Sequence, residues 1–127
     1  MNGKHPNGIL TYTAAAACDK GAIVKFTGET DANGRPTITP CTATTDAAIG
    51  VCETECAAGD QVAVGILGSY NGTQLVKAGG AVTVGANVSP TGTAIDSGLT
   101  IGVALDAATA AGDLIEIAHC VPFTLPA

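Results

Sequence analysis

The chain contains Ile49-Gly50-Val51, then a short linker, then Ala57-Ala58-Gly59-Asp60-Gln61-Val62-Ala63-Val64. It repeats this pattern as Ile101-Gly102-Val103 followed by Ala110-Ala111-Gly112-Asp113-Leu114-Ile115-Glu116-Ile117. Apolar residues alternate with other residues on both sides of the Ala-Gly-Asp segment, which is typical of two β-strands joined through a tight turn. The repeated stretch therefore predicts two related halves built from strands.

The Ala-Gly-Asp segments are predicted to be structural turns. Gly59 and Gly112 can adopt a positive φ angle without a steric penalty, which a tight turn requires. Asp60 and Asp113 can accept hydrogen bonds from the amides of their own turns. We expect these four residues to shape the fold and to take no part in chemistry.

The repeat extends upstream, because Gly21-Ala22-Ile23-Val24 is echoed by Gly85-Ala86-Asn87-Val88. The two pseudo-repeated halves then cover about residues 21–76 and 81–120. Turn signals such as Asn-Gly recur between short β-rich runs, and no segment keeps a helical period of 3.6 residues. We predict an all-β fold, either a small barrel or a two-sheet sandwich, with residues 19–127 as a single β domain.

Residues 1–18 lie outside both halves and are predicted to form an extended N-terminal arm. Such an arm can add a strand to the exposed sheet edge of a neighbouring chain. The alternative is a disordered terminus followed by an ordinary first strand. The candidate residues for contact with a partner surface or with another copy of the chain are Ile9, Leu10, Thr11, Tyr12, Thr13 and Phe123.

Composition and charge exclude several classes of partner. The chain has 127 residues, a formal net charge of −6 and only 3% aromatic residues. Its basic residues are scattered singly, so a nucleic-acid partner is not expected. No apolar stretch approaches the 18 or so residues of a membrane span, so a membrane partner is not expected either. A core of small side chains buries little area, which favours assembly into a homo-oligomer.

No arrangement of residues indicates catalysis. The chain has two histidines and three serines, and none of the serines lies in a Gly-x-Ser-x-Gly elbow. His119 and Cys120 are neighbours in a predicted strand, so they point to opposite faces and do not form a nucleophile–base pair. We predict a protein that is not an enzyme and that carries no cofactor.

The five cysteines leave more than one interpretation open. Cys52-Glu53-Thr54-Glu55-Cys56 could hold a metal ion with Cys41 or His119, or its cysteines could form disulfides. An odd number of cysteines excludes a fully paired framework. We favour reduced, buried thiols that act as small apolar side chains, and we predict no metal site.

Between Gly21 and Ala118 the chain resembles a family of small phage capsid decoration, or cement, proteins. The resemblance rests on Ile49-Gly50-Val51 with Ala57–Asp60, and on residues 101–108 with Ala111-Gly112-Asp113. It implies a β-rich domain, often trimeric, that binds the outer shell of an icosahedral head. The expected partner is the major capsid protein, and the expected location is the capsid exterior of a virion assembled in the host cytoplasm. The chain would then stabilise the expanded shell.

Three alternatives remain open. A receptor-binding or fibre-type virion module would also be β-rich and oligomeric. A barrel-sandwich carrier domain would need a modified lysine at a hairpin tip, for which Lys77 is the nearest candidate. A secreted disulfide domain would need paired cysteines.

Overall fold

The computed structural model describes residues 8–126, and every regular element in that range is a β-strand. The ten strands are β1 (Ile9–Ala14), β2 (Ile23–Thr30), β3 (Pro36–Pro40), β4 (Ala48–Cys52), β5 (Gln61–Ile66), β6 (Gln74–Lys77), β7 (Asn87–Val88), β8 (Ala94–Ile95), β9 (Gly98–Ala104) and β10 (Leu114–Leu125). The described residues include no helix of the length and apolar character that a membrane crossing needs. The predicted all-β class is confirmed.

Strands β1 to β5 close into a barrel, which together with the following Leu67 we call the first unit (residues 9–67). Its strand order is β1-β3-β2-β4-β5, and β5 pairs back to β1. The β1–β3 pair is parallel, and the other pairs are antiparallel. Small apolar side chains fill this narrow interior, namely Ala14, Cys18, Val24, Ile38, Cys52, Val62 and Val64.

Strands β6 to β10 form an open sheet, which we call the second unit (residues 74–125). Its order, β6-β10-β9-β7-β8, is the barrel order cut between β1 and β3. The registers agree as well, because Val51 pairs with Gly65 in the first unit and Val103 pairs with Ala118 in the second. Each strand of one unit therefore has a counterpart in the other, and we call residues in equivalent register positions counterparts.

The second unit stays open because its last partner strand is too short. β3 pairs with both β2 and β1 and so closes the barrel, whereas its counterpart β8 is two residues long and pairs with β7. One backbone hydrogen bond crosses the open seam, from the Gly79 N–H to the Gly92 carbonyl at 3.0 Å. A shared core completes the interior, in which first-unit residues pack with second-unit residues: Ile23, Ala48, Val51 and Leu67.

The expected N-terminal arm differs from the structure over residues 9–14, which form barrel strand β1. This strand pairs with β5 on one side and with β3 on the other. The β5 pairing covers Ile9–Thr13 and the β3 pairing covers Thr13 and Ala14, so this segment is part of the barrel wall and does not project as an arm. β1 is also the counterpart of β6, so the repeat begins at residues 9 and 74, earlier than the sequence indicates. Residues 1–7 of the expected arm lie outside the described part of the chain.

The two Ala-Gly-Asp segments are tight turns with φ angles of +90° at Gly59 and +96° at Gly112. The Asp60 carboxylate accepts an amide hydrogen bond within its turn at 3.0 Å. The Asp113 carboxylate accepts the Thr109 amide hydrogen bond at 2.9 Å. Amide hydrogen bonds favour the charged form, so they lower the pKa of Asp113. The two glycines and the two aspartates thus stabilise the backbone conformation of the turns.

Candidate docking surface

The outer face of the second unit exposes four large apolar side chains. Their exposed fractions are 45% for Leu75, 38% for Val103, 44% for Leu105 and 45% for Leu114. Their neighbours along the chain, including Val76, Ala104 and Ile115, are buried at 0–1% exposure. Because strand residues alternate between faces, the four side chains point away from the core. We call this set the leucine face.

The first unit does not repeat this apolar character. Three members of the leucine face have polar counterparts there: Thr11 for Leu75, Glu53 for Leu105 and Gln61 for Leu114. The fourth position is valine in both units, but Val51 is fully buried in the core shared with the second unit, whereas Val103 is partly exposed. At this one position the second unit leaves uncovered the face that the first unit packs into the shared core, whereas Thr11 and Gln61 are exposed in the first unit as well.

The charged groups beside the leucine face have partners within the chain. The Glu116 carboxylate accepts a hydrogen bond from the Thr73 hydroxyl at 2.5 Å. The Lys77 ammonium forms an ion pair with Asp19. The three leucines, each 44–45% exposed, are the apolar part of this face that solvent reaches, and such patches on soluble proteins mark interaction sites.

A second exposed apolar segment lies at the far end of β10. Val121 is 68% exposed and Phe123 is 51% exposed. Phe123 pairs with Thr100 of β9, beyond the register shift that follows His119. The sequence-predicted contact residue Phe123 is thus accessible on the second unit.

The other predicted contact residues, Ile9, Leu10, Thr11, Tyr12 and Thr13, form part of the barrel wall. The Tyr12 ring meets Phe26 edge-on with a centroid distance of 5.4 Å, and burial raises the pKa of Tyr12. The Thr13 hydroxyl donates to Asp31 at 2.9 Å. Thr11 is the exposed member of this strand. These residues lie in the barrel, whereas Phe123 lies in the open sheet of the second unit.

Sequence reasoning missed the leucine face because its members are far apart in the sequence. Each of Leu75, Leu105 and Leu114 is an ordinary strand or turn residue by itself. Only the pairing of β6 with β10 and of β10 with β9 places them on one surface. The signal that could have revealed this face is a comparison of the two units that includes β1 and β6. In that comparison, three polar residues of the first unit are replaced by leucine in the second.

The cysteines and His119 that the sequence offers as metal ligands are placed in different parts of the fold. Among residues 8–126, no three His, Cys, Asp or Glu side chains are placed to hold an ion. Cys52 lies inside the barrel, whereas Cys41 packs against the core shared by the units. The His119 ring holds both ends of the loop between Gly68 and Gly72. Its Nδ1 accepts a hydrogen bond from the Gly68 N–H at 2.9 Å, and its Nε2 donates one to the Gly72 carbonyl at 2.8 Å.

A groove of about 310 Å³ runs between the two units, with Ile23 and Pro40 on its wall. Its ionisable lining groups Asp19 and Lys77 pair with each other. Burial raises the pKa of the Cys41 thiol in the same wall to about 12, so that this thiol stays protonated near neutral pH. The groove therefore offers no free nucleophile or base among these groups.

Comparisons with known proteins match the chain to a protein family and to a solved structure. A sequence profile described as phage cement protein matches residues 4–119. A solved structure, the head fiber gp8.5 N base of bacteriophage phi29, is 20% identical and has a TM-score of 0.67. The similarity covers 94% of this chain and 98% of that one, and at this identity it shows a shared fold. No curated protein sequence matches the chain significantly.

Proposed function

The chain belongs to the phage cement protein family, and from this membership we propose that it binds the outer surface of a phage capsid and stabilises the expanded shell. The family makes the chain a structural component of a virion. The partner in this proposal is the major capsid protein, and the docking element is the leucine face.

The observation that carries the proposal is the asymmetry between the two units. Both units keep the same strand order and register, so the fold itself does not require leucine at positions 75, 105 and 114. The first unit is folded with Thr, Glu and Gln at the counterpart positions. Three leucines exposed on one face lower solubility, and a docking partner that covers them gives them a function.

The stabilisation follows from mass action repeated over the shell. Covering apolar surface contributes about 25 cal/mol per Å², so that one small contact is weak. A capsid presents many identical sites, and a ligand that binds the expanded lattice better than other states shifts the equilibrium toward it. The net charge of −6 keeps the decorated exterior soluble.

We also propose that the chain acts as a homo-oligomer, with a trimer favoured. The exposed apolar end of β10, with Val121 and Phe123, is the segment assigned to this contact. Light scattering on the purified chain tests the assignment, and three times the chain mass of 12.3 kDa is the expected result. The Phe123→Ser variant should shift the mass toward one chain, and an unchanged mass would exclude this contact.

Co-sedimentation with empty expanded capsids of the cognate phage tests the docking face. The wild-type chain should sediment with the capsids and should raise the temperature at which they disrupt. The double variant Leu75→Glu/Leu114→Glu should bind at least about tenfold more weakly, because each carboxylate would be covered without a partner. A wild-type chain that stays in the supernatant would contradict capsid binding itself.

The repeat supplies a matched control for the negative charge that the two glutamates add to the chain. Thr11→Glu/Gln61→Glu places the same two carboxylates at the counterpart positions of the first unit, which are also exposed. This variant should bind capsids as the wild type does. If the control binds more weakly while Leu75→Glu/Leu114→Glu binds normally, the docking site lies on the barrel, where the sequence places the contact residues of β1.

A second candidate function is the base of a fibre-type virion module. It is supported by the fold shared with the phi29 head fiber base, which spans 98% of that chain. The two functions differ in what the exposed surface recognises. A fibre module that binds a receptor should attach purified virions to host cells, and antibody against the chain should then block adsorption. Adsorption that is unaffected by the antibody favours the cement function.

A further inference from the structure

Two cysteines lie directly opposite each other in an isolated antiparallel bridge between the segment that precedes β2 and the segment that precedes β5. The Cys18 N–H donates to the Cys56 carbonyl at 3.0 Å, and the Cys56 N–H donates to the Cys18 carbonyl at 2.9 Å. This reciprocal exchange defines a hydrogen-bonded antiparallel pair, whose Cα atoms are typically about 5.5 Å apart. Disulfides join residues with Cα separations of about 4.4–6.8 Å. The Cα separation typical of such a pair therefore falls within the range that a Cys18–Cys56 disulfide needs.

A third thiol completes a cluster inside the barrel. Cys18 and Cys52 are 3% and 1% exposed, and Cys56 packs against the same core while remaining partly accessible. The Cys18 thiol donates weakly to the Ala16 carbonyl at 3.4 Å. Cys56 is thus the member that a dissolved reagent can reach first, and Cys18 is its immediate neighbour.

The second unit shows that the fold does not need thiols here. The bridge between Val82 and Ala108 is the counterpart of the bridge between Cys18 and Cys56, with the same pair of backbone hydrogen bonds. The counterpart of Cys52 is Ala104. Small alkyl side chains fill the same space at all three positions of the second unit. Packing alone therefore does not explain why the first unit has cysteines there.

We propose that Cys18 and Cys56 form a disulfide when the folded chain meets a small-molecule disulfide such as oxidised glutathione. The Cys56 thiolate attacks one sulfur of the reagent and releases one glutathione thiolate. The Cys18 thiolate then attacks the Cys56 sulfur and releases the second glutathione. The two protein thiols lose two protons and two electrons, and the reagent is reduced to two thiols. The bond would fasten the segment before β2 to the segment before β5.

The reaction should be slow at neutral pH and faster in alkaline solution. Burial is the main reason that the pKa of Cys18 is raised to about 11. The thiolate is the attacking species, and its fraction rises about tenfold per pH unit below the pKa. If the attack by Cys18 is the rate-limiting step, the rate of disulfide formation should therefore rise about tenfold between pH 7 and pH 8.

The test uses the intact chain with oxidised glutathione and no capsid. After acid quenching and alkylation under denaturing conditions, three thiols should be modified where the reduced chain has five. Cleavage after Glu55 separates Cys56 from Cys52, so that peptide mapping can assign the bond. The Tm should rise by about 10 °C and return after reduction. Five free thiols after prolonged oxidation at pH 9, or a bond that joins Cys18 to Cys52, would overturn the proposal.

Variants that borrow the residues of the second unit provide the controls. Cys18→Val and Cys56→Ala should each abolish the disulfide and the rise in Tm, whereas Cys52→Ala and Cys120→Ala should retain both. The reduced variants should have circular dichroism spectra like that of the wild type, which separates loss of the bond from loss of the fold. A disulfide that persists in Cys18→Val would contradict the assignment. Because no capsid is present, the outcome is independent of the proposed docking function.

Discussion

At the scale of single residues, the central glycine of each Ile-Gly-Val segment allows two strands to approach closely. A Cβ atom on Gly50 would lie 2.5 Å from Val64 Cγ1 and 2.6 Å from the Gly65 carbonyl oxygen. A Cβ atom on Gly102 would lie 2.4 Å from the Ala118 carbonyl oxygen. Backbone atoms cannot move aside as a flexible side chain can, so both positions exclude a side chain for the same reason in both units.

Gly50→Ala and Gly102→Ala should therefore each lower the free energy of unfolding by about 3 kcal/mol, the cost of overpacking a rigid site. Gly80→Ala is the matched control, because its Cβ would have no atom within 4 Å and its φ is not positive. That variant should be neutral or more stable by up to about 1 kcal/mol, since alanine restricts the unfolded chain. Urea denaturation measures all three, and a Gly50→Ala variant as stable as the control would contradict the close approach.

A second prediction at this scale concerns Asp46 and acid. Amide hydrogen bonds from Ala43 and Thr42, with the Lys25 ammonium at 3.0 Å, lower the pKa of Asp46 to about 2. The folded pKa is below the ordinary value of 3.8, so this stabilisation is present above pH 4 and is lost as the pH falls toward 2. Asp46→Asn should have a lower Tm than the wild type at pH 7 but a smaller decrease in Tm between pH 4 and pH 2. Equal decreases would exclude Asp46 as a source of acid sensitivity.

At the scale of elements, the sequence predicts the strands that contain a recognisable motif. It misses the equivalence of strands that share only their place in the sheet. The Ile-Gly-Val strands and Ala-Gly-Asp turns are recognisable because glycine and aspartate are needed for specific backbone geometry. β1 and β6 have no such residue, and their matched positions Thr11 and Leu75 share no chemistry. What makes them equivalent is pairing with β5 and β10 in one register. Pairing is a tertiary property, which explains why β1 was predicted to be an arm.

The candidate site was predictable to a smaller extent for the same reason. Phe123 is exposed on the second unit, but no local pattern joins it to Leu75, Leu105 or Leu114. A surface made from three strands is specified only when strand order and register are known. The outer leucines also follow the same alternation as buried strand residues, so the sequence alone does not show which of the two faces is covered.

At the scale of the whole molecule, the two units differ in how they complete their interiors. The barrel closes on itself through β3, whereas the second unit uses Ile23, Ala48, Val51 and Leu67 of its neighbour. A core that contains residues of both units couples their stability. We therefore expect the chain to unfold in one transition, with the barrel and the open sheet lost together.

The repeat provides an internal test of this coupling. Val51 and Val103 occupy the same register position, but Val51 is fully buried between the units and Val103 is 38% exposed on the leucine face. Val51→Ala should lower the free energy of unfolding by about 2 kcal/mol, because it leaves a cavity in the shared core, and Val103→Ala by less than about 0.5 kcal/mol. Urea unfolding followed by both circular dichroism and Tyr fluorescence should give one midpoint per variant, shifted down for Val51→Ala. Equal effects of the two substitutions, or two separate midpoints in the wild type, would show that the units fold independently.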